Sequence, residues 1–164
     1  ADALDAFEKR LAYAQAHLDE PVICDRPPLR LLRPSLSELS AADMESRRSL
    51  DAFIAAMPDT RISFARALAP KSEKHFRLCA DEAACAAWAL PLEHTAGLPS
   101  ARCVRVIHRF ACQPCDDEAV PEILACAQKA GHAVRVDGEL FGLHLASETS
   151  EGKVSLYAAV YLPI

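Results

Sequence analysis

The stretch Ala133-Val134-Arg135-Val136-Asp137-Gly138-Glu139-Leu140-Phe141-Gly142-Leu143-His144-Leu145 alternates with a period of two, the pattern of a sheet strand with one packed face. On that period Glu139 shares a face with Phe141, Leu143 and Leu145. Desolvation disfavours a charged carboxylate on a hydrocarbon face. The group must find a partner, stay protonated, or line a cavity where water or a ligand restores its solvation. The last option makes Glu139 a candidate binding residue, and the first leaves a structural ion pair with Arg102, Arg105 or Arg135 as the alternative.

Outward from this strand, two similar halves emerge. Val22 to Leu36 reads as extended, with Pro27, Pro28 and Pro34 confining it to an edge or a broken strand. Ser40 with Asp43 resembles a helix cap, after which Leu50, Phe53, Ile54 and Met57 recur on one helical face until Pro58. Arg61 to Ala69 and His75 to Cys79 read as strands. Ala87, Ala89 and Pro91 in the Ala-rich segment 81–99 give no decision between helix and strand.

The second half repeats this order. A strand over 101–111 precedes a helix that starts after Asp116 or Asp117, buries Val120, Ile123, Leu124 and Ala127, and stops at Gly131. Strands over 133–145 and 154–162 follow, separated by a turn at 147–152. Strand, helix, strand, strand occurs twice. The expected fold is therefore α+β: two pseudo-twofold-related βαββ units forming a concave antiparallel sheet, with helices on one face and the other face free. In the last strand Val154, Leu156, Ala158, Val160 and Leu162 should meet the helices, while Tyr157 and Tyr161 point to the free face as walls of an apolar cleft.

Residues 1–20 read as a separate helix. Leu4, Phe7, Leu11, Ala14 and Leu18 follow the three-four spacing of a coiled-coil seam. An isolated helix of this length is marginal in water, so it needs a partner, either a second copy or its own domain. The chain has no initiating Met, and the helix is expected to continue upstream.

Composition narrows the class. The chain has 164 residues, 51% of them hydrophobic, and a net charge of −5, which suits one domain with a substantial core and gives no reason to expect direct nucleic-acid binding. No apolar run spans a bilayer and no signal-peptide pattern is present, so a cytoplasmic location is expected. Seven cysteines, an odd number without a close-spaced framework, read as mostly reduced thiols. Cys112-Gln113-Pro114-Cys115 precedes a helix, where thiolates are stabilised. A tetrahedral metal site would still have to recruit scattered Cys103, Cys126 or His108, so no metal and no cofactor are expected.

The order of elements, Leu98-Pro99-Ser100-Ala101-Arg102 leading into a strand, Gly138-Glu139-Leu140, and the closing Tyr157 with Tyr161-Leu162-Pro163-Ile164 together resemble the GyrI-like effector-binding domain found in MerR-type regulators, including multidrug sensors. The resemblance covers residues 21–164, and the preceding helix resembles the dimerisation linker of those proteins. It implies a transcription-regulator domain binding a lipophilic, cationic effector, with Glu139 as charge reader, Tyr157 and Tyr161 as walls, and Phe64, Trp88, Phe110 and Phe141 as further wall candidates. It also implies a homodimer through the amino-terminal helix, and contact with DNA only through a domain absent from this chain. Two alternatives accompany the resemblance: a hydrolase using the same cleft on an electrophilic compound, and a protein-binding inhibitor module. Aromatic residues make up only 6% of the chain, fewer than a broad multidrug pocket would call for.

Overall fold

A computed structural model describes residues 2–38, 43–111 and 116–164. In chain order the elements are α1 (Asp2–Ala16), β1 (Val22–Arg26), β2 (Leu29–Leu32), α2 (Met44–Ala55), β3 (Arg61–Ala67), β4 (His75–Asp81), α3 (Glu82–Ala87), β5 (Thr95–Leu98), β6 (Ala101–Phe110), α4 (Ala119–Lys129), β7 (Glu139–Ser150) and β8 (Lys153–Pro163). The strands form one open sheet in the order β1-β6-β8-β7-β3-β4-β2-β5, antiparallel at every pairing. The fold is the expected α+β class.

The twofold repetition is visible in that order. The unit β2-α2-β3-β4 lies in the sheet as β2-β4-β3, and the unit β6-α4-β7-β8 lies as β6-β8-β7, the two meeting where β3 pairs with β7. Each unit is also preceded by a strand that crosses to the other one: β1 extends the sheet beside β6, and β5 extends it beside β2. Pro27 and Pro28 fall between β1 and β2, where the missing N–H groups interrupt the ladder and allow the chain to leave one half for the other. Segment 81–99, ambiguous in sequence, supplies both α3 and β5. Asp81 caps α3 by accepting from the Ala84 N–H at 2.8 Å.

One face of the sheet carries α2 and α4. Val120, Ile123 and Ala127 of α4 are buried against Val104, Val106 and Phe110 of β6, Leu140 of β7, and Ala158, Val160 and Leu162 of β8. Each large side chain removed from water there contributes about 1.5–3 kcal/mol. Asp43 caps α2 through the Ser46 N–H at 2.8 Å, while Ser40 lies outside the described residues. Phe53 is fully buried, whereas Ile54 and Met57, expected on the same apolar face, are exposed: α2 closes over the sheet with a narrower stripe than the sequence suggested. Arg66 is also on this face, 2% exposed. Its guanidinium donates to Ala67 O, Ala69 O and the Asp117 carboxylate, at 2.8 Å from the last, so a buried charge is held by hydrogen bonds.

The opposite face is not free. Ala14, completely buried, packs α1 there with Leu11 and Leu18 against Ile107, Phe141, Leu143, Tyr157, Ala159 and Tyr161. The Asp19 N–H continues the attachment by donating to Ile107 O at 2.8 Å. Two seam residues of α1, Leu11 and Ala14, and Leu18 just beyond its end are thus spent on its own sheet, while Leu4 stays exposed. The helices consequently occupy both faces, and a large part of the surface expected to hold a ligand is covered.

Candidate functional site

The segment that singled out Glu139 folds differently from its alternation. Residues 133–138 form no strand: the Arg135 N–H donates to Pro163 O at 2.9 Å and Gly138 N–H to Arg135 O at 3.1 Å, a turn that delays β7 until Glu139. Glu139 is therefore the first residue of β7, paired with Ala67 at the last position of β3, and its side chain is exposed. Its face-mates Phe141 and Leu143 are buried as expected, but the carboxylate lies beyond the packed part of that face. Among the described residues it has no ion pair, and it does not line the cavity at the junction of the two halves. Arg102 instead approaches Asp25 at 3.5 Å, and Arg105 lies over the Tyr13 ring, 5.7 Å from its centroid. The desolvation argument that pointed to Glu139 is corrected by its position at a strand end.

The aromatic candidates separate onto two faces and a rim. Phe64 and Phe110 belong to the helix-side core, their rings edge to face at 6.1 Å, so they pack against α4's apolar face instead of walling a cleft. Phe141 and Tyr157 are on the opposite face but are covered. The Arg26 guanidinium stacks 5.5 Å from the Phe141 centroid, and α1 lies over Tyr157, whose hydroxyl donates to Glu148 Oε1 at 2.6 Å. Gln15 of α1 donates to the other oxygen of Glu148 at 3.2 Å, tying helix and strand together. Trp88, half exposed after α3, donates through its indole N–H to Asp59 Oδ2 at 2.8 Å. Of the seven sequence candidates, Tyr161 lines the cavity at the junction of the two halves.

That cavity, about 110 Å³, opens on the α1 side of the sheet at the junction of the two halves. Leu29, Cys79, Leu143 and Tyr161 supply its apolar lining, and Asp59, Arg61 and Asp81 its charge. A neighbouring hollow of about 250 Å³ shares those three charged residues and is completed by Arg10 of α1 and by Ala83, Ala84 and Ala87 of α3. Local folding explains the placement. Asp59 follows the end of α2, Arg61 opens β3, Asp81 closes β4 as the α3 cap, and antiparallel pairing sets Arg61 opposite Cys79. Arg10 reaches the same corner by donating to Pro58 O at 2.8 Å.

The lining offers no ready thiolate. Burial pushes the Cys79 thiol up to about 12, so it stays protonated at neutral pH and is a poor nucleophile. Burial likewise raises the Tyr161 phenol, with Arg105 and Arg61 opposing the shift. The Tyr161 hydroxyl has no hydrogen-bond partner among the described residues, and neither does the Arg61 guanidinium. Sequence reasoning passed over Asp59, Arg61 and Asp81 because each stands at an element boundary, where a charged residue is ordinary; the one available signal was the capping register of Asp81 with Ala84.

Elsewhere, His108 is held between carboxylates, its Nδ1 3.0 Å from Asp19 and its Nε2 3.7 Å from Glu122, beside Cys126 in a surface hollow. Among the described residues no group of three or more His, Cys, Asp or Glu side chains is arranged to hold a metal ion. Cys112-Gln113-Pro114-Cys115 lies outside the described residues. Among the described residues no helix is long and apolar enough to cross a membrane.

No protein-family model matches the chain. No curated protein matches it either. Among solved structures, the chain is similar to the crystal structure of a "Putative bacterial transcription regulation protein from Staphylococcus aureus MU50", with 10% identity and a TM-score of 0.45 over 88% of this chain and 99% of that one.

Proposed function

We propose that this chain is a small-molecule effector-binding domain, of the GyrI-like kind that serves MerR-type transcriptional regulators, and that its ligand carries a basic nitrogen read by Asp59 and Asp81. The observation that carries this reading is the cavity at the β3–β7 junction, where an unpartnered tyrosine hydroxyl and unpaired charges share one small space with apolar walls. Among the described residues the Tyr161 hydroxyl and the Arg61 guanidinium are partly buried there without a protein hydrogen bond, and Asp59 and Asp81 each hold one bond and no ion pair, so a ligand of matching polarity would supply what is missing. The pseudo-twofold sheet and the sequence resemblance support the same reading. A path for coupling is at hand in Arg10: it belongs to α1 and borders the charged hollow, so occupancy there and the seating of α1 share a side chain.

Trp88 is the only tryptophan and is bonded to Asp59, so its emission reports on the site. Titration with n-pentylammonium should shift that emission and release heat. Asp59→Asn and Asp81→Asn, which keep the bonds to Trp88 and Ala84, should each weaken binding by about fivefold or more, the equivalent of roughly 1 kcal/mol for a partly solvated charge pair. Glu139→Gln should leave it within about twofold. A loss on Glu139→Gln as large as on the aspartate changes would return the charge reader to β7. Absence of binding by n-pentylammonium, by bulkier lipophilic cations and by an amphiphile that carries an ammonium group beside a carboxylate would refute the effector reading.

A further inference from the structure

The charges around this cavity are balanced yet do not pair with one another. Asp59 and Asp81 face Arg61 and Arg10 across the two contiguous hollows, and no ion pair within 4.0 Å links any of them among the described residues. Each group except Arg61 is anchored by a single bond that leaves the rest of its hydrogen-bonding capacity unused: Asp59 Oδ2 by the Trp88 indole, Asp81 Oδ1 by the Ala84 N–H, and Arg10 Nη1 by Pro58 O. These anchors hold the side chains at the rim instead of letting them collapse onto each other. Fixed, separated charges of both signs are the arrangement a protein uses to recognise a molecule that itself carries both.

We infer that the ligand is a small amphiphilic zwitterion, its ammonium group taken by Asp59 and Asp81, its carboxylate by Arg61 and Arg10, and its short aliphatic chain by Leu29, Leu143 and the Tyr161 ring. This rests on the cavity being the effector site proposed above. A cation alone would satisfy the aspartates and leave two guanidiniums facing each other. Burial, and after it the neighbouring Arg61, pull the Arg10 guanidinium below its ordinary value against the opposing pull of Asp59 and Asp81; a ligand ammonium would draw on those two carboxylates, and a ligand carboxylate would take their place beside the guanidiniums. The cavity of about 110 Å³ limits the apolar part to a short chain.

Three compounds with related skeletons separate the charges: L-norleucine carries both, n-pentylammonium only the cation, and hexanoate only the anion. Calorimetric titration of the folded chain, with Trp88 emission in parallel, should show norleucine binding about tenfold or more tighter than either single-charge compound, as expected when each added charge gains a partner. Arg61→Met should abolish the norleucine advantage while leaving n-pentylammonium unchanged or improved, and Arg61→Gln checks the result should the first variant melt early. Tighter or equal binding of n-pentylammonium by the native chain overturns the zwitterion inference while the effector reading stands, as does norleucine binding indifferent to both Arg61 changes. Binding of larger lipophilic cations with none of the three compounds bound has the same consequence. If nothing binds, both readings fall.

Discussion

Gly142→Ala tests which side of the sheet is sealed core. An ideal Cβ on Gly142 would sit inside the van der Waals envelope of the Phe64 ring, overlapping Cζ, Cε2 and Cε1 at separations far below the 3.5–4.0 Å of ordinary carbon contacts. The ring has little room to retreat. Phe64 is 2% exposed and flanked by Phe110 at 6.1 Å and Phe76 at 6.2 Å between centroids. Overpacking of this kind costs about 1–3 kcal/mol, which for a chain of this size lowers the melting temperature by roughly 2–12 °C. Urea unfolding followed by circular dichroism should show the midpoint falling with the slope unchanged. The double variant Gly142→Ala with Phe64→Leu, in which the smaller side chain vacates the space, should be less destabilised than the sum of the single changes by about 1 kcal/mol. Stability within about 0.5 kcal/mol of the native chain for Gly142→Ala, or strict additivity in the double variant, would refute the assignment of Phe64 to a packed core.

Two further outcomes follow from other parts of the molecule. Ala14→Glu places a carboxylate where α1 is completely buried against the sheet, so it should release α1 at a cost of about 2 kcal/mol or more; loss of hydrogen-exchange protection confined to α1 supports this docking, and retained protection counts against it. His144 is pulled below its ordinary 6.5 by burial, then by Arg61 and Arg10, so the folded state resists its protonation: its contribution to stability is complete above pH 6.5 and is lost as pH falls from there through the lowered folded value. His144→Gln should flatten that limb of a stability-versus-pH curve measured by urea midpoints, and an unchanged limb would show that other groups produce it.

The two-residue turn between β7 and β8 shows how local chemistry can be read directly. Glu151 and Gly152 both adopt positive φ, as a tight hairpin requires, and the aliphatic positions Ala158, Val160 and Leu162 then fall on the helix side as their alternation predicts. Gly131, with φ +90°, ends α4 where helix-stop chemistry placed it. Glu139 shows the opposite case. Its alternation with Phe141 and Leu143 is real, but a period says which face a side chain takes and not where the sheet stops covering that face.

From the residues alone came the repeated strand-helix-strand-strand order, the antiparallel α+β class and the aliphatic side of β8, because periodicity, caps and turn residues act over a few neighbouring positions. Tertiary structure alone decided that α1 lies on the face expected to be open, that β1 and β5 cross between halves, and that the charges lining the cavity and its neighbouring hollow are Asp59, Arg61, Asp81 and Arg10 instead of Glu139. The first and last of those four residues, Arg10 and Asp81, stand 71 positions apart, and the four share no local pattern. Only the pairing order of the strands and the docking of a helix bring them to one corner, and neither is encoded within the reach of a single segment.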